Sequence, residues 1–201
     1  MRRSFLAFTI LPLVLLCGCA SYEAAPLSSL SSQIIRTQAP EASSDLLITA
    51  KTLTKAECKQ YFDRDVIKKG YQPVQLYIQN DSDKSFSFSP DRVGLTCARS
   101  EEVARKVHTS TLGRAAGYGA AALFLWPMAI PAVVDGIKSS QANEALDRDF
   151  SAKTAMDQTI QPHAHFNKVL FIPANEYKST FDLVLIDLKS GDAKTFTVNA
   201  N

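Results

Sequence analysis

The chain has 201 residues, with 22 basic and 20 acidic side chains, four cysteines and three histidines. This length fits one folded domain with additional segments. The near-balance of charge argues against a nucleic-acid footprint, which needs a basic surface.

The N-terminus has the organisation of a secretory signal. Met1-Arg2-Arg3 is basic, and Phe5 to Leu16 is almost wholly apolar. The apolar run of about twelve residues is too short to cross a bilayer, which needs about 20. Arg2-Arg3 also matches part of a twin-arginine signal, but the strong hydrophobicity of the run favours the general secretory route.

Leu16-Cys17-Gly18-Cys19 closes this run and resembles the lipobox of bacterial lipoprotein signal peptides. The resemblance implies cleavage before Cys19, attachment of diacylglyceryl to its sulfur and acylation, such as palmitoylation, of the new amine. More than one acyl chain would give stable anchoring in a lipid bilayer. Ala20 follows, where an Asp would signal retention at the inner membrane, so the resemblance favours an outer membrane address facing the periplasm.

Removing the first 18 of the 201 residues leaves 183 and takes away Arg2 and Arg3, so the formal charge falls from +2 to zero. Two cysteines then stand apart from the lipobox, Cys58 and Cys97. In an oxidising compartment such a pair predicts a disulfide. Two buried free thiols and a pair of metal ligands are the alternatives.

Residues 19–44 are rich in Ser, Ala and Pro and predict a flexible tether. Asp45–Leu53 predicts a first strand. Thr54 and Glu57 then have capping-box spacing, which predicts a helix from there to Lys69, before Gly70.

Alternating apolar residues predict further short strands. The pattern marks Val74, Leu76 and Ile78, then Phe86 and Phe88, then Val93, Leu95 and Cys97, and after a long interval Phe181–Leu188. The apolar run Lys168–Ile172 predicts a buried strand, and Thr195–Val198 predicts a returning strand after the turn at residues 190–192. We therefore predict a mainly β (α+β) fold, a small antiparallel β-sandwich formed by residues 45–97 and 159–201. Pro73–Ser82, Lys168–Pro173 and Phe181–Leu185 resemble pieces of the immunoglobulin-like modules of bacterial lipoproteins, and this resemblance implies a fold without implying an activity.

Residues 98–158 are predicted to form a helical insertion that contains an uncharged apolar segment, residues 115–134. Pro127 and Pro131 argue against one continuous spanning helix and favour a helical hairpin. Small residues four apart at its start allow close helix approach. Three roles stay open for the segment: a tip that dips into lipid, a hairpin packed on its own domain, or a surface within 113–134 for self-association or an envelope protein partner. The residues predicted to make membrane or partner contacts are Leu123, Phe124, Leu125, Trp126, Met128 and Ile130.

No motif predicts an enzyme. Residues 117–122 fit a dinucleotide fingerprint but lack the strand that should precede it. His163 and His165 would share one face of a strand, yet no further ligand completes a metal set. No cofactor, metal or catalytic residue is therefore predicted, and we expect a non-enzymatic lipoprotein of the cell envelope. A periplasmic ligand-binding module is the alternative function.

Overall fold

The computed structural model describes residues 21–30, 46–108 and 129–200. Within them the chain forms an α+β fold with two antiparallel sheets and three α-helices. The strands are β1 (Leu46–Thr52), β2 (Tyr71–Asn80), β3 (Phe86–Phe88), β4 (Gln158–Ile160), β5 (His165–Pro173), β6 (Thr180–Asp187) and β7 (Ala193–Asn199). The helices are α1 (Lys55–Phe62), α2 (Ser100–Val107) and α3 (Ala129–Lys153).

The three-stranded sheet has the order β1-β2-β5, and the four-stranded sheet has the order β4-β3-β6-β7. In the first sheet Ile78 of β2 is paired with both Ile48 of β1 and Phe166 of β5. Because β5 follows the long insertion, the pairing of β2 with β5 joins the two halves of the chain.

The three-stranded sheet separates two apolar cores. One face packs against the other sheet and forms the intersheet core, whose members include Val74, Leu76, Ile78, Phe86, Phe88, Phe166, Leu170, Ile172, Leu183 and Leu185. The other face packs against the helices and forms the helix-side core, whose members include Cys58, Phe62, Val103, Leu146, Phe150, Val169 and Phe171. Alternate residues of β5 point into different cores, so the molecule has three layers: sheet, sheet and helices.

Aromatic rings dominate the helix-side core. Phe62 of α1 lies 4.8 Å from Phe150 of α3, and Phe150 stacks on Phe171 of β5 with ring centroids 5.6 Å apart. These contacts fix α3 on the sheet by its last turns.

Local sequence signals set some boundaries correctly and others wrongly. The capping box is confirmed, since Glu57 N donates to Thr54 Oγ1 at 3.3 Å and Thr54 N donates to Glu57 Oε2 at 2.9 Å. The helix predicted to reach Lys69 is too long, because Asp63 adopts a left-handed conformation (φ 48°) and ends α1 at Phe62. A separate 3₁₀ turn spans Ile67–Lys69.

The strand predicted around Val93, Leu95 and Cys97 does not form. A 3₁₀ turn at Pro90–Arg92 is followed by a single bridge between Val93 and Leu183. Gly94 N donates to Asp182 O at 2.7 Å, and a Cβ on Gly94 would lie 3.2 Å from Asp182 N. The segment therefore crosses β6 at close range instead of pairing along it.

Helices α2 and α3 lie in the predicted insertion, residues 98–158. α2 begins at Ser100, where the sequence predicts a helical pattern, and α3 carries Ala142, Leu146 and Phe150 on its buried face. His108, just after α2, contacts Asp147 of α3 at 2.6 Å. No helix within the described residues is long and apolar enough to span a bilayer.

Candidate functional site: the docked N-terminal segment

Ser21–Leu30, hereafter the strap, is an extended segment that lies on the helix side of the domain. The sequence Ala25-Pro26 favours an extended backbone, because proline disfavours the helical region for the residue before it. Ala25 N donates to Gln60 O of α1 at 2.9 Å, and Glu23 N approaches Asp63 Oδ2 at 3.4 Å. The backbone of the strap is therefore held by one backbone acceptor in α1 and by the side chain of Asp63 at its end.

A buried lysine fixes the middle of the strap. Lys153, at the end of α3, is 8% exposed, and its Nζ donates to Ala25 O at 2.8 Å and to Tyr61 O at 2.6 Å. The same Nζ forms an ion pair with Asp149 Oδ2 at 2.7 Å. All three donor positions of the ammonium are thus occupied, which a buried charge requires.

Tyr22 continues this network at the start of the strap. Its hydroxyl donates to Asp149 Oδ2 at 2.5 Å, so the carboxylate accepts from both Tyr22 and Lys153. Burial, followed by the hydrogen bond to Asp149, raises the pKa of Tyr22 above the ordinary range of a phenol. The tyrosine therefore stays a neutral donor at any physiological pH.

The C-terminal end of the strap lies on the helix-side face of the three-stranded sheet. Gln75 Nε2 of β2 donates to Ser28 O at 2.7 Å, and Asn167 Nδ2 of β5 approaches the same oxygen at 3.3 Å. Ser28 Oγ is 2.7 Å from the Tyr61 hydroxyl, and Leu30 is buried. Gln75 is buried in the middle of β2, and its Nε2 donates a second hydrogen bond to Asn167 Oδ1 at 2.8 Å.

These contacts correct the prediction that residues 19–44 form a flexible tether, as far as the strap is concerned. Tyr22, Ala25 and Leu27 also pack against the helix-side core. The composition predicted a tether because Ser, Ala and Pro side chains contribute little to a core. The strap is instead held mainly through its backbone, since its carbonyl oxygens accept hydrogen bonds from Lys153, Gln75 and Asn167.

The N-terminal end of the strap lies beside the end of α1. The guanidinium of Arg64 lies 5.3 Å from the Tyr22 ring centroid and its Nη2 is 3.5 Å from Ser21 O. Arg64 Nη1 also pairs with Asp63 Oδ2 at 2.7 Å. Only Ala20 separates Ser21 from the predicted lipidation position at Cys19.

The predicted disulfide between Cys58 and Cys97 is not present, and both cysteines are free. Cys58 is fully buried in the helix-side core, whereas Cys97 packs against the intersheet core, on the other side of the three-stranded sheet. The pairing prediction was wrong because it rested on compartment and cysteine count alone. Burial, reinforced by nearby carboxylates, raises the pKa of each thiol to about 12.

An open groove with a volume of about 430 Å³ is lined by Pro90, Asp91, Val93, Gly94, Leu95, Thr96 and Cys97. A ligand-binding module, the alternative function, would need a cavity, but the large aromatic residues Phe86, Phe88 and Phe171 do not line one together. Phe86 and Phe88 lie in the intersheet core and Phe171 lies in the helix-side core, and all three are fully buried.

The histidines do not come together. His163 has a left-handed backbone (φ 54°) before β5 and pairs with Asp83, whereas His165 begins β5 and stacks on Tyr77, so the two do not share a strand face as predicted. Across residues 21–30, 46–108 and 129–200, no cluster of His, Cys, Asp and Glu could hold a metal ion. In the same ranges no serine is hydrogen-bonded to the His108–Asp147 or His163–Asp83 pair.

Several predicted site residues lie outside the described residues. They are Cys19 and, in the apolar segment, Leu123, Phe124, Leu125, Trp126 and Met128. Ile130 falls in the first turn of α3, but its side chain is likewise outside the description. Their roles stay predictions.

Comparison with known proteins adds no family. No family model matches the chain, and no curated protein matches it. Among solved structures, a GH20 exo β-N-acetylglucosaminidase from Vibrio harveyi in complex with N-acetylglucosamine is similar at 9% identity, with a TM-score of 0.26. The match covers 78% of this chain and 18% of that one, and a likeness of this size carries no argument about fold or function.

Proposed function

We propose that this chain is a non-enzymatic lipoprotein of the cell envelope, anchored by an acylated Cys19 in the outer membrane and facing the periplasm. The observation that carries the proposal is the sequence Leu16-Cys17-Gly18-Cys19 after a basic start and a short apolar run. We further propose that the apolar segment 115–134 contacts membrane or a protein partner, and that the two-sheet part is an immunoglobulin-like sandwich.

The fold is compatible with this role. The strap begins at Ser21, two residues after Cys19, and is docked on the domain, so the proposed anchor would lie close to the domain in the chain. Among the described residues, the large apolar side chains that are about half exposed are Leu188 and Met156. Exposed residues of this kind are ordinary on a soluble surface, so a membrane contact would have to come from the anchor and the apolar segment.

The anchor is tested by replacing Cys19→Ser in the full chain and following palmitate incorporation and membrane fractionation. We expect loss of label and release from the membrane fraction, with Cys17→Ser as the matched control that keeps both. Equal labelling of the Cys19→Ser variant would refute the anchor.

The contact segment is tested by Leu125→Asp combined with Trp126→Asp in the chain that lacks lipid. Burying such side chains contributes roughly 1.5–3 kcal/mol each, so their replacement should weaken binding to liposomes or partner while the domain stays folded. A chain that no longer folds would instead show that the segment is part of the core.

A further inference from the structure

We infer that the surface beneath the strap is a peptide-binding site and that its ligand is the strap sequence, which a second copy of this chain can supply. The inference goes beyond the proposed function and does not depend on acylation of Cys19. We call this surface the strap site. It is formed by the last turns of α1 and α3 and by the helix-side face of β2 and β5, through Gln60, Tyr61, Gln75, Asp149, Lys153 and Asn167.

The strap site pairs with the main chain of the segment that it holds. Lys153 Nζ donates to Ala25 O at 2.8 Å, and Gln75 Nε2 donates to Ser28 O at 2.7 Å. In the other direction, Gln60 O accepts from Ala25 N at 2.9 Å. When a protein binds an extended peptide, main-chain hydrogen bonds of this kind give affinity and side-chain contacts give specificity. The domain therefore holds the strap in the way that a binding site holds a peptide.

Side-chain contacts make the site selective for this sequence. The Tyr22 hydroxyl donates to Asp149 Oδ2 at 2.5 Å, and Ser28 Oγ lies 2.7 Å from the Tyr61 hydroxyl. Leu27, between these two strap residues, packs against the helix-side core. The strap of a second copy carries the same residues in the same order, so it can make every one of these contacts. Exchange of an identical segment between two copies is a low-cost route to a dimer.

The domain keeps its core when the strap leaves. All buried members of the helix-side core lie outside the strap, and within the strap only Leu30 is buried. Lys153 keeps its contacts with Tyr61 O and Asp149, and water can accept from the third donor position of its ammonium group. An empty strap site therefore exposes mainly hydrogen-bonding groups, and we expect the domain to stay folded around it.

The connection between strap and domain decides which copy fills the site. The 15 residues 31–45 join the strap to β1 and can span at most about 50 Å. A connection of this length does not confine the strap to one position, but it keeps the local concentration of a chain's own strap high. A chain's own strap is therefore the main occupant, and a second copy enters where that strap is weakened.

The first experiment measures binding of a fluorescein-labelled peptide with the sequence of residues 21–30 to the full chain by fluorescence anisotropy. Tyr22→Ala combined with Ala25→Pro weakens the resident strap, because it removes the donor to Asp149 and the N–H that donates to Gln60 O. Ser29→Pro, at an exposed strap residue with no described hydrogen bond, is the matched control. We expect the peptide to bind the strap-weakened chain at least tenfold more tightly than the parent or the control.

A peptide that carries the same two changes, Tyr22→Ala and Ala25→Pro, should bind the strap-weakened chain at least tenfold more weakly than the unchanged peptide. Equal binding of the two peptides, or equal binding of one peptide to all three chains, would overturn the inference. Circular dichroism of the strap-weakened chain gives a further check. A chain that no longer folds would show that the strap is part of the core and would likewise overturn the inference.

The second experiment tests the second copy as the source of the strap. The strap-weakened chain is mixed with a Gln75→Leu chain, which has an intact strap but lacks the donor to Ser28 O. Native mass spectrometry should then detect a heterodimer, in which the intact strap of one chain fills the intact site of the other. The strap-weakened chain alone has no intact strap and should stay monomeric. A mixture that contains only monomers would overturn the second copy as the partner.

Discussion

At the scale of single residues, the buried ammonium group of Lys153 depends most strongly on its hydrogen-bond partners. It takes a charge into the helix-side layer, and its three acceptors come from the strap, from α1 and from its own helix. Removing one member of such a set leaves the others without a partner, and this cost usually exceeds the net value of the intact contact.

Lys153→Met keeps the length of the side chain but deprives Ala25 O, Tyr61 O and Asp149 of their donor. We expect a loss of about 3 kcal/mol in the free energy of unfolding. Tyr22→Phe removes one hydrogen bond to a carboxylate and should cost about 1.5 kcal/mol. Urea unfolding measures both, with Lys178→Met at an exposed position as the control. A Lys153→Met chain as stable as the control would contradict the role of this network.

Asp187 is a second buried charge. Lys84 Nζ lies 3.0 Å from its Oδ2, and the backbone N–H groups of Lys189 and Ser190 donate to its Oδ1. The Lys84 ammonium, followed by these backbone donors, lowers the pKa of Asp187 to about 2. A folded-state pKa below the unfolded value, which is about 4, means that the unfolded chain takes up the proton first as the pH falls.

The contribution of Asp187 to stability should therefore be complete above pH of about 4 and be lost as the pH falls toward about 2. Asp187→Asn should lower the Tm at neutral pH and make it less dependent on pH across this window. Thermal melts between these pH values measure the effect, and Asp192→Asn, at an exposed residue of the same turn, is the control. Parallel pH profiles for the parent and Asp187→Asn would refute the assignment.

At the scale of elements, α1 begins where its sequence dictates. Thr54 and Glu57 satisfy each other's backbone N–H groups, and Lys51 Nζ approaches Glu57 Oε1 at 2.5 Å, so the cap is tied to β1. The hydrogen bonds to Lys51 and Thr54 outweigh desolvation and lower the pKa of Glu57.

We expect Thr54→Ala to cost about 1 kcal/mol, the usual value of an N-cap side chain. Thr54→Ser retains the hydroxyl and should remain within a few tenths of a kcal/mol of the parent. Chemical denaturation of the two variants provides the measurement, and equal losses in both would show that the hydroxyl is not the cause.

Elements that depend on local signals could be predicted from the sequence. Alternating apolar residues predicted β2 and β6, a continuous apolar run predicted β5, and the capping box predicted the start of α1. The end of α1 was missed because it depends on the left-handed backbone at Asp63, and the strand at Val93–Cys97 was wrong because its alternation is not matched by a partner along its length. Three-residue β4 is too short to give a periodic signal.

The docked strap could not be predicted, because its partners are remote in sequence. Tyr22 and Asp149 are 127 residues apart, and Ser28 and Asn167 are 139 apart. Lys153 looked like an ordinary helix-surface lysine with Asp149 one turn before it. Only the tertiary structure turns that pair toward the backbone of the strap.

At the scale of the whole molecule, the three layers keep the two described cysteines apart. We expect Cys58 and Cys97 to be free thiols, in place of the disulfide that the sequence predicts between them. Because burial raises the pKa of both thiols to about 12, alkylation of the folded protein at pH near 8 should be slow. In urea without reductant, Cys58 and Cys97 should both react fast, as mass spectrometry of their peptides would show, whereas a disulfide between them would leave both unmodified.

The pairing of β2 with β5 also has a consequence for how the chain acquires its structure. Ile78 and Phe166 are neighbours in the sheet but 88 residues apart in the chain. Closing such a loop costs entropy before any contact forms, so folds dominated by pairings of this kind are slow to form. Until residues from His165 onward are present, β2 lacks its partner β5, and the opposite sheet lacks β6 and β7, which cover the intersheet face of β1 and β2. The chain therefore passes through a period in which an apolar sheet face and a strand edge are exposed to other molecules, and a chaperone would have most to protect during that interval.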